Sequence, residues 1–459
     1  MCWLALDLGA SFLKAAIVDV NLRRLGTVVR RPFPAFMMAE VAGRREIDAD
    51  IVYQAALEML VGLAKQAPGC RGLVISGQMH GFVFCDRKSG SALGPYISWQ
   101  DQRCLEMHPS HRGTYWELLK ERLGTRLVEE TGNEIRPGFS IANLFWYAEQ
   151  GLIPAGSSAV SLMDYVATRL AEKTVGTHAS NAAGHGLYDT RKGIWHSDAY
   201  ARAGLGSLCR TEVHSSVCKV GQCLLAGQRL DIMAPVGDQQ ATLLGVGLRP
   251  GELSVNVATG SQVSMLRSSS EAGDYQLRPY FDGNFLHTIT HIPAGRALNA
   301  WIQLLTELQR RAEQSVIDPW PLILSAVAAV PTSPITVDLA LFDSAYGNMG
   351  EVRGVREDTL TVGHLFRAAF ENMASNYEKS ALRIAPRHDW ECVVFSGGLA
   401  QKVAPLREAV LKRLGSMHRT APQTEDALVG LLVLAVAAEH GLKVSEALRM
   451  VAEVNCETV

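Results

Sequence analysis

The start of the chain limits its possible folds more than any other segment. Trp3-Leu4-Ala5-Leu6 is a short apolar run that ends on Asp7-Leu8-Gly9-Ala10-Ser11, and a second run, Ala15-Ala16-Ile17-Val18-Asp19-Val20, follows almost at once. Only a tight turn fits between them. A third run, Gly26-Thr27-Val28-Val29, comes after a polar turn, so the spacing predicts three strands in hairpin succession. From Asp48 to Lys65 apolar residues fall at 51, 52, 55, 56, 59, 60, 63 and 64, which is helical spacing with Asp48 or Asp50 as N-cap. Gly72-Leu73-Val74-Ile75-Ser76 then reads as a buried strand, giving the order β-β-β-α-β.

The second half repeats this beginning by pattern rather than by letter. Gly251–Val257 predicts a strand closing on Ala258-Thr259-Gly260-Ser261, with a return strand over Gln262–Leu266. Val362–Ile384 predicts one long helix, and Glu391–Phe395 a strand closing on Ser396-Gly397-Gly398. Helices are expected near Ala404–Leu414 and Thr424–His440. The expected division falls near 230–236, into units 1–233 and 234–459, in line with the length prior for a chain of 459 residues. Residues 270–360 are Pro-rich and poorly patterned, and no element order is read there.

Composition narrows the function. Hydrophobic residues make up 47% and charged residues 20%, with a net charge of −2, so the chain is expected to bury a core and to bind neither nucleic acid nor membrane. The longest apolar run, Ala427–Ala438, contains Gly430 and reads as a buried helix, well short of the roughly 18–20 residues of a span. No basic segment precedes an apolar one at the N-terminus, and the 9 irregularly spaced cysteines include no C-x-x-C. Reduced thiols and a cytoplasmic location are therefore expected, with no disulfide framework or structural zinc. There is no G-x-x-x-x-G-K-[ST] either, so any nucleotide is handled without a P-loop.

Four turns could handle phosphate. In Asp7-x-Gly9-x-Ser11-x-x-Lys14, Gly9 permits close approach of phosphate oxygens, Ser11 adds a hydroxyl, Lys14 adds positive charge, and Asp7 at a strand end is suited to Mg²⁺. Thr259-Gly260-Ser261 and Ser396-Gly397-Gly398 are small, hydroxyl-bearing turns of the same kind. In Gly237-Asp238-Gln239-Gln240 a carboxylate framed by glycine and amides could accept the proton of an attacking hydroxyl. Each also reads, taken alone, as an ordinary hairpin turn, strand–helix turn or N-cap. Two motifs suit a polar ligand: Ser76-Gly77-Gln78-Met79-His80-Gly81 at a strand's C-terminal end, and Ser98-Trp99-Gln100-Asp101-Gln102-Arg103, where an aromatic face sits beside amide and carboxylate partners. The bland alternatives there are a core histidine and an Asp–Arg pair.

Taken in order, these motifs resemble the FGGY carbohydrate kinases. The matches run from the turn at 7–14 through SGQMHG, SWQDQR, Met163-Asp164-Tyr165, Ser180-Asn181-Ala182-Ala183, Tyr188-Asp189-Thr190 with Trp195, GDQQA and the Thr259 turn to SGGLAQ at 396–401. The resemblance implies an α/β fold of two actin-like (ribonuclease H-like) ATPase domains with a cleft between them. It also implies that ATP and Mg²⁺ bind in the cleft and that a sugar hydroxyl attacks the γ-phosphate. By resemblance Asp238 is the catalytic base, and Asp7 and Asp238 hold the metal. Gly9, Ser11, Lys14, Thr259 and Gly260 line the phosphates, and Gly397 and Gly398 the adenosine. Gln78, Met79, His80, Trp99 and Asp101 line the sugar.

Within the family the W-Q-D-x-R-C string at 99–104, the M-H-G-F-V-F run at 79–84 and Asn256-x-x-Thr259-x-x-Gln262 are most similar to the members that phosphorylate sedoheptulose. The expected substrate is thus a ketose, phosphorylated at a primary hydroxyl, with pentuloses as the alternative. A homodimer and a non-catalytic nucleotide sensor of the same fold are further expectations left open, the sensor disfavoured because it has no need of Asp238. Two departures stand out: Ala10 replaces the family's usual threonine, and Gly347–Gly354 is short.

Overall fold

The computed structural model describes residues 1–312, 318–421 and 425–456, with side chains to 454. The N-terminal hairpin succession forms as β1 (Cys2–Leu8), β2 (Phe12–Asp19) and β3 (Arg24–Pro32). It is followed by α1 (Ala49–Gln66), whose N-cap Asp48 accepts from Asp50 N at 2.9 Å, and by β4 (Cys70–Gly77). After α2 (Ser140–Glu149), α3 (Leu162–Ala171) and α4 (Ala179–Gly184) come β5 (Lys219–Leu225), β6 (Gln228–Met233), β7 (Val236–Gly237) and α5 (Asp238–Gly245). The strand order is β5-β6-β4-β1-β2-β3, with β7 also paired to β4. β1 is antiparallel to β2 and parallel to β4. From Trp3 to Leu8 it is buried on both faces, as a central strand covered by helices must be, whereas β3 at the edge ends in Arg30-Arg31-Pro32, which blunts further pairing.

The second half contains β8 (Glu252–Val257), β9 (Ser261–Arg267), β10 (Gln276–Pro279), β11 (Phe285–Ile292), α6 (Gly295–Leu305), α7 (Val362–Ile384), β12 (Cys392–Ser396), α8 (Gly398–Lys402), β13 (His418–Thr420), α9 (Asp426–His440) and α10 (Val444–Cys456). Its sheet runs β10-β11-β9-β8-β12-β13, again an antiparallel meander continued by parallel strands. The duplication read from the pattern is therefore a duplication of topology. The long helix occupies the residues expected, capped by the Thr361 side chain. The helix expected from Thr424 runs from Asp426, and Thr424 itself lies outside the described residues. The unordered stretch 270–360 holds β10, β11 and α6, and Gly347–Gly354 carries a short strand, Glu351–Arg353, paired with Thr336–Asp338.

Three of the apolar clusters cover the two large sheets. One lies between the first sheet and α1 and α3, through Leu4, Leu6, Val52, Leu60 and Val166. Another joins the second sheet to α7, through Val255, Val263, Phe366 and Phe370. The third is shared: Trp3, Ala5, Val18 and Val74 of the first sheet and Leu266, Leu286 and Val394 of the second enclose α5 and α9. Those two helices approach unusually closely. A Cβ on Gly430 would lie 1.9 Å from Ala241 O, and one on Gly245 would lie 1.8 Å from Asp426 O. Glycine in the apolar run is thus a packing requirement that outweighs its helix penalty of about 1 kcal/mol.

Gly430→Val should therefore force α5 from α9 and lower stability by roughly 2 kcal/mol or more. Gly62→Ala, in α1 where nothing lies within 4 Å of a new Cβ, should leave stability unchanged or raise it by up to about 1 kcal/mol. Chemical denaturation of both variants checks this, and equal effects would contradict the packing argument.

Candidate active site

Strand register brings the first two carboxylates together. In the parallel pairing of β1 with β4, Asp7 lies opposite Ser76, and in that of β7 with β4, Val236 lies opposite the same Ser76. Asp7 and the β7–α5 junction therefore flank one residue of β4, at the C-terminal ends of adjacent parallel strands, where open α/β sheets bind ligands. Ser76 Oγ donates to Asp7 Oδ1 at 2.9 Å. Asp238 opens α5, and its Oδ1 accepts from Gln239 N at 2.8 Å. Burial first, and the charge of Asp7 after it, push the Asp238 carboxyl up to about 7, against the hydrogen bond from Gln239 N and the charge of Arg278. Asp7 is raised too, by burial first, against the hydrogen bond from Ser76 and the charge of Lys14. Two carboxylates that share a buried site and raise their own proton affinity call for a cation, and oxygen donors at a strand end suit Mg²⁺.

Asp238 borders a cavity of about 370 Å³. Gln78, Met79, His80 and Trp99 line it, as does Ala10 from the first turn, and Asn256, Gln262 and Arg278 close it from the second sheet. Gln78 is 4% exposed and its Nε2 has no partner. His80 adopts a φ of 72° and stacks on Phe139 at 4.1 Å, with Nδ1 2.9 Å from Gly184 O. A carbonyl partner makes Nδ1 the donor, so Nε2 is left an acceptor. Burial, then the charge of Arg278, pushes this histidine down to about 3, so the ring is neutral at physiological pH.

A second cavity, of about 570 Å³, lies in the second half. Thr259 and Gly398 line it with Arg296, Trp320 and Lys402. The Thr259–Gly260 turn is pinned to the start of α6, where Arg296 N donates to Thr259 O at 2.8 Å. Gly397 has a φ of 86°, and a Cβ there would lie 2.5 Å from Val257 O, so the strand–helix turn requires glycine. Nothing lies within 4 Å of a Cβ built on Gly260 or Gly398, which leaves open space at both. Apolar Ile302, Leu324 and Val403 give this cavity the character of a slot for a flat ring, with cations at its rim.

Two residues expected at the ligands are engaged elsewhere. Asp101 is fully buried, and its oxygens accept from Arg103 Nε and Nη2 at 2.8 Å and from Arg45 N at 2.7 Å. It is not among the residues lining the sugar-sized cavity. The Asp–Arg pairing within SWQDQR takes its charge, while Trp99 alone of that motif reaches the cavity. Lys14 Nζ pairs with Glu425 at 2.9 Å, just before α9, rather than standing free for phosphate. Gly9 and Ser11 do sit in the turn beside Asp7, with Ser11 exposed. Sequence reasoning missed Arg278, Thr290 and His291, all on strands of the unpatterned stretch, and it gave Gln239 no role.

The raised carboxyl of Asp238 has a stability consequence. The folded state holds this proton more tightly than the unfolded chain, so the cost of ionisation builds from about pH 4 and is complete above about pH 7. Asp238→Asn should raise the melting temperature at pH 8 by about 2 °C or more, and by less at pH 5. Thermal denaturation at both pH values checks it, and a lower melting temperature at pH 8 would contradict the burial argument.

Comparison with known proteins identifies the family and the fold. The N-terminal domain of the FGGY family of carbohydrate kinases matches residues 2–245. Apulose kinase of Pectobacterium atrosepticum is 27% identical over 62% of this chain and 61% of its own length, so that match spans less than two thirds of the relative. Sedoheptulokinase of Mus musculus is 23% identical over 89% of this chain and 91% of its own. The structure of Plasmodium falciparum glycerol kinase with ADP superposes with a TM-score of 0.79 at 15% identity, covering 98% of this chain and 92% of that one. The fold is that of the actin-like two-domain ATPases, and the chain belongs to the FGGY family of carbohydrate kinases.

Proposed function

We propose that this protein transfers the γ-phosphoryl group of ATP to a primary hydroxyl of a sugar, with Asp238 accepting the hydroxyl proton. One observation carries the reading: Asp238 borders a sugar-sized cavity and feels the charge of a second buried carboxylate, Asp7. Phosphoryl transfer through a loose transition state needs only late proton removal and depends mainly on positioning. Gln78 Nε2 is a donor without a partner, the neutral His80 offers an acceptor, and Trp99 supplies a face for the carbon chain.

In this reading Asp7 and Asp238 would hold Mg²⁺, which supplies positive charge beside the phosphates when bound. Gly9, Ser11, Thr259 and Gly260 line the phosphates, and Gly397 and Gly398 shape the adenosine slot. In a division at 1–233 and 234–459, Asp7 and His80 belong to one unit and Asp238 and Thr259 to the other, with β7, just before Asp238, reaching back to pair with β4 of the first sheet. Closing the cleft would then exclude water from the reacting atoms. Among neutral sugars, sedoheptulose is the first candidate because the likeness to the mouse sedoheptulokinase runs nearly end to end, and pentuloses come second.

Asp238→Asn should lower turnover by at least about 10²-fold while leaving sugar binding largely intact. ADP release by pure protein with Mg²⁺ and a sugar panel, together with calorimetric titration of the same sugars, checks both halves. Near-normal turnover in the variant would remove Asp238 from this role, and no ADP release above background with any sugar would end the kinase reading.

A further inference from the structure

The cavity beside Asp238 holds a cation that the proton transfer does not use. Arg278, on β10, is 5% exposed. Its guanidinium meets neutral acceptors only: Nη1 donates to Gln239 Oε1 at 2.8 Å and Nη2 to Gln276 Oε1 at 2.6 Å, with Met79 Sδ 3.9 Å away. Among the described residues no carboxylate oxygen comes within 4.0 Å, and Nε has no partner at all. The two glutamines are fixed in this orientation. Gln239 Nε2 donates to Gln262 Oε1 at 3.1 Å and to Thr288 Oγ1 at 3.2 Å, and Gln276 Nε2 to Thr290 Oγ1 at 3.1 Å. Both amide oxygens are thereby committed to the arginine, and neither can neutralise it.

The same cavity carries a second unsatisfied donor, Gln78 Nε2. Its one carboxylate is that of Asp238, the proposed base. Burial first, then the charges of Arg136 and Arg278, push the cavity's His291 toward its neutral form, against the smaller opposing charges of Glu134 and Asp343. A sugar hydroxyl satisfies an orphaned N–H but adds no charge, and leaves the guanidinium with the distant attraction of Asp238 and no ion-pair partner within 4.0 Å among the described residues. A carboxylate does both, because it offers two acceptor oxygens and the missing charge.

We infer that the sugar this cavity is built for carries a carboxylate, held by Arg278, while the hydroxyl to be phosphorylated lies at Asp238. The preferred substrate is a sugar acid, ahead of every neutral ketose. This rests on the reading of the cavity as the sugar site of a kinase.

The test is a substrate panel assayed by ADP release: aldonic and 2-keto-aldonic acids of five to seven carbons, the matched neutral ketoses, and the corresponding sugar phosphates. The best acid should exceed the best neutral sugar in kcat/KM by about 30-fold, the factor corresponding to a charge-assisted hydrogen bond of roughly 2 kcal/mol. Arg278→Gln should bring that ratio close to one, and Arg278→Lys should retain part of it. Because a buried arginine can be needed for folding, wild-type thermal shifts supply a second readout: aldonates should raise the melting temperature saturably, and matched polyols should do so far less. Turnover of neutral ketoses without turnover of acids overturns this inference alone, as does a preference for sugar phosphates or an acid preference that survives Arg278→Gln. No ADP release with any class would take the kinase reading down with it.

Discussion

The constraint on which the site depends is the shared register of β1 and β7 on β4. Because Asp7 and Val236 are both opposite Ser76, the first turn of the chain and the residue that opens α5 reach the same strand ends across more than two hundred residues of intervening sequence. This forces two carboxylates into one buried neighbourhood, which is unfavourable by itself: each loses solvation, and Asp7 raises Asp238 further. The shared apolar layer opposes that cost. Gly245 and Gly430 let α5 lie almost backbone to backbone against α9, and α9 in turn packs on the first sheet and against residues of the second. The same helix that carries Asp238 is thus the one the two halves clamp most tightly.

The cavity has two electrostatic ends. One holds the Asp238 carboxylate, which feels the charge of Asp7 behind it and is suited to taking a proton. The other holds Arg278, buried among amides, with its Nε unpaired. Likeness over nearly the whole length of a sedoheptulokinase draws attention to neutral ketoses. Arg278 lines this chain's cavity, and in the inferred reading it would decide substrate charge, which an overall identity of 23% does not report on.

Much of this was legible in the letters, for physical reasons. The hairpin succession at the N-terminus showed itself because apolar runs and turn residues alternate at strand spacing. Val362–Ile384 showed itself through its helical period, and Ala427–Ala438 through sheer apolarity. Gly9, Asp238, Thr259 and Gly397 drew attention because small residues and carboxylates at strand ends suit phosphate chemistry, a local signal, and the structure puts Asp238 and Thr259 at cavities. Asp101 could not be placed from the letters because a carboxylate beside Arg103 serves a buried ion pair as readily as a ligand, and only the fold shows that Arg45 N and Arg103 donate to both its oxygens. The ion pair of Lys14 was equally invisible, since its partner Glu425 is more than four hundred residues away. Arg278 left no local trace: β10 is a four-residue strand in a stretch without period, and its meaning lies entirely in which side chains surround it.

The central claim is that Asp7 and Asp238 form one cation-holding, proton-accepting centre. Crystals grown with Mn²⁺ in place of Mg²⁺ and with ADP test it most directly through the anomalous scattering of manganese. A manganese peak beside the Asp7 and Asp238 carboxylates, absent in crystals of Asp7→Asn, is the result expected. A manganese ion bound with the nucleotide on an unrelated surface, with the two carboxylates left to themselves, would contradict it.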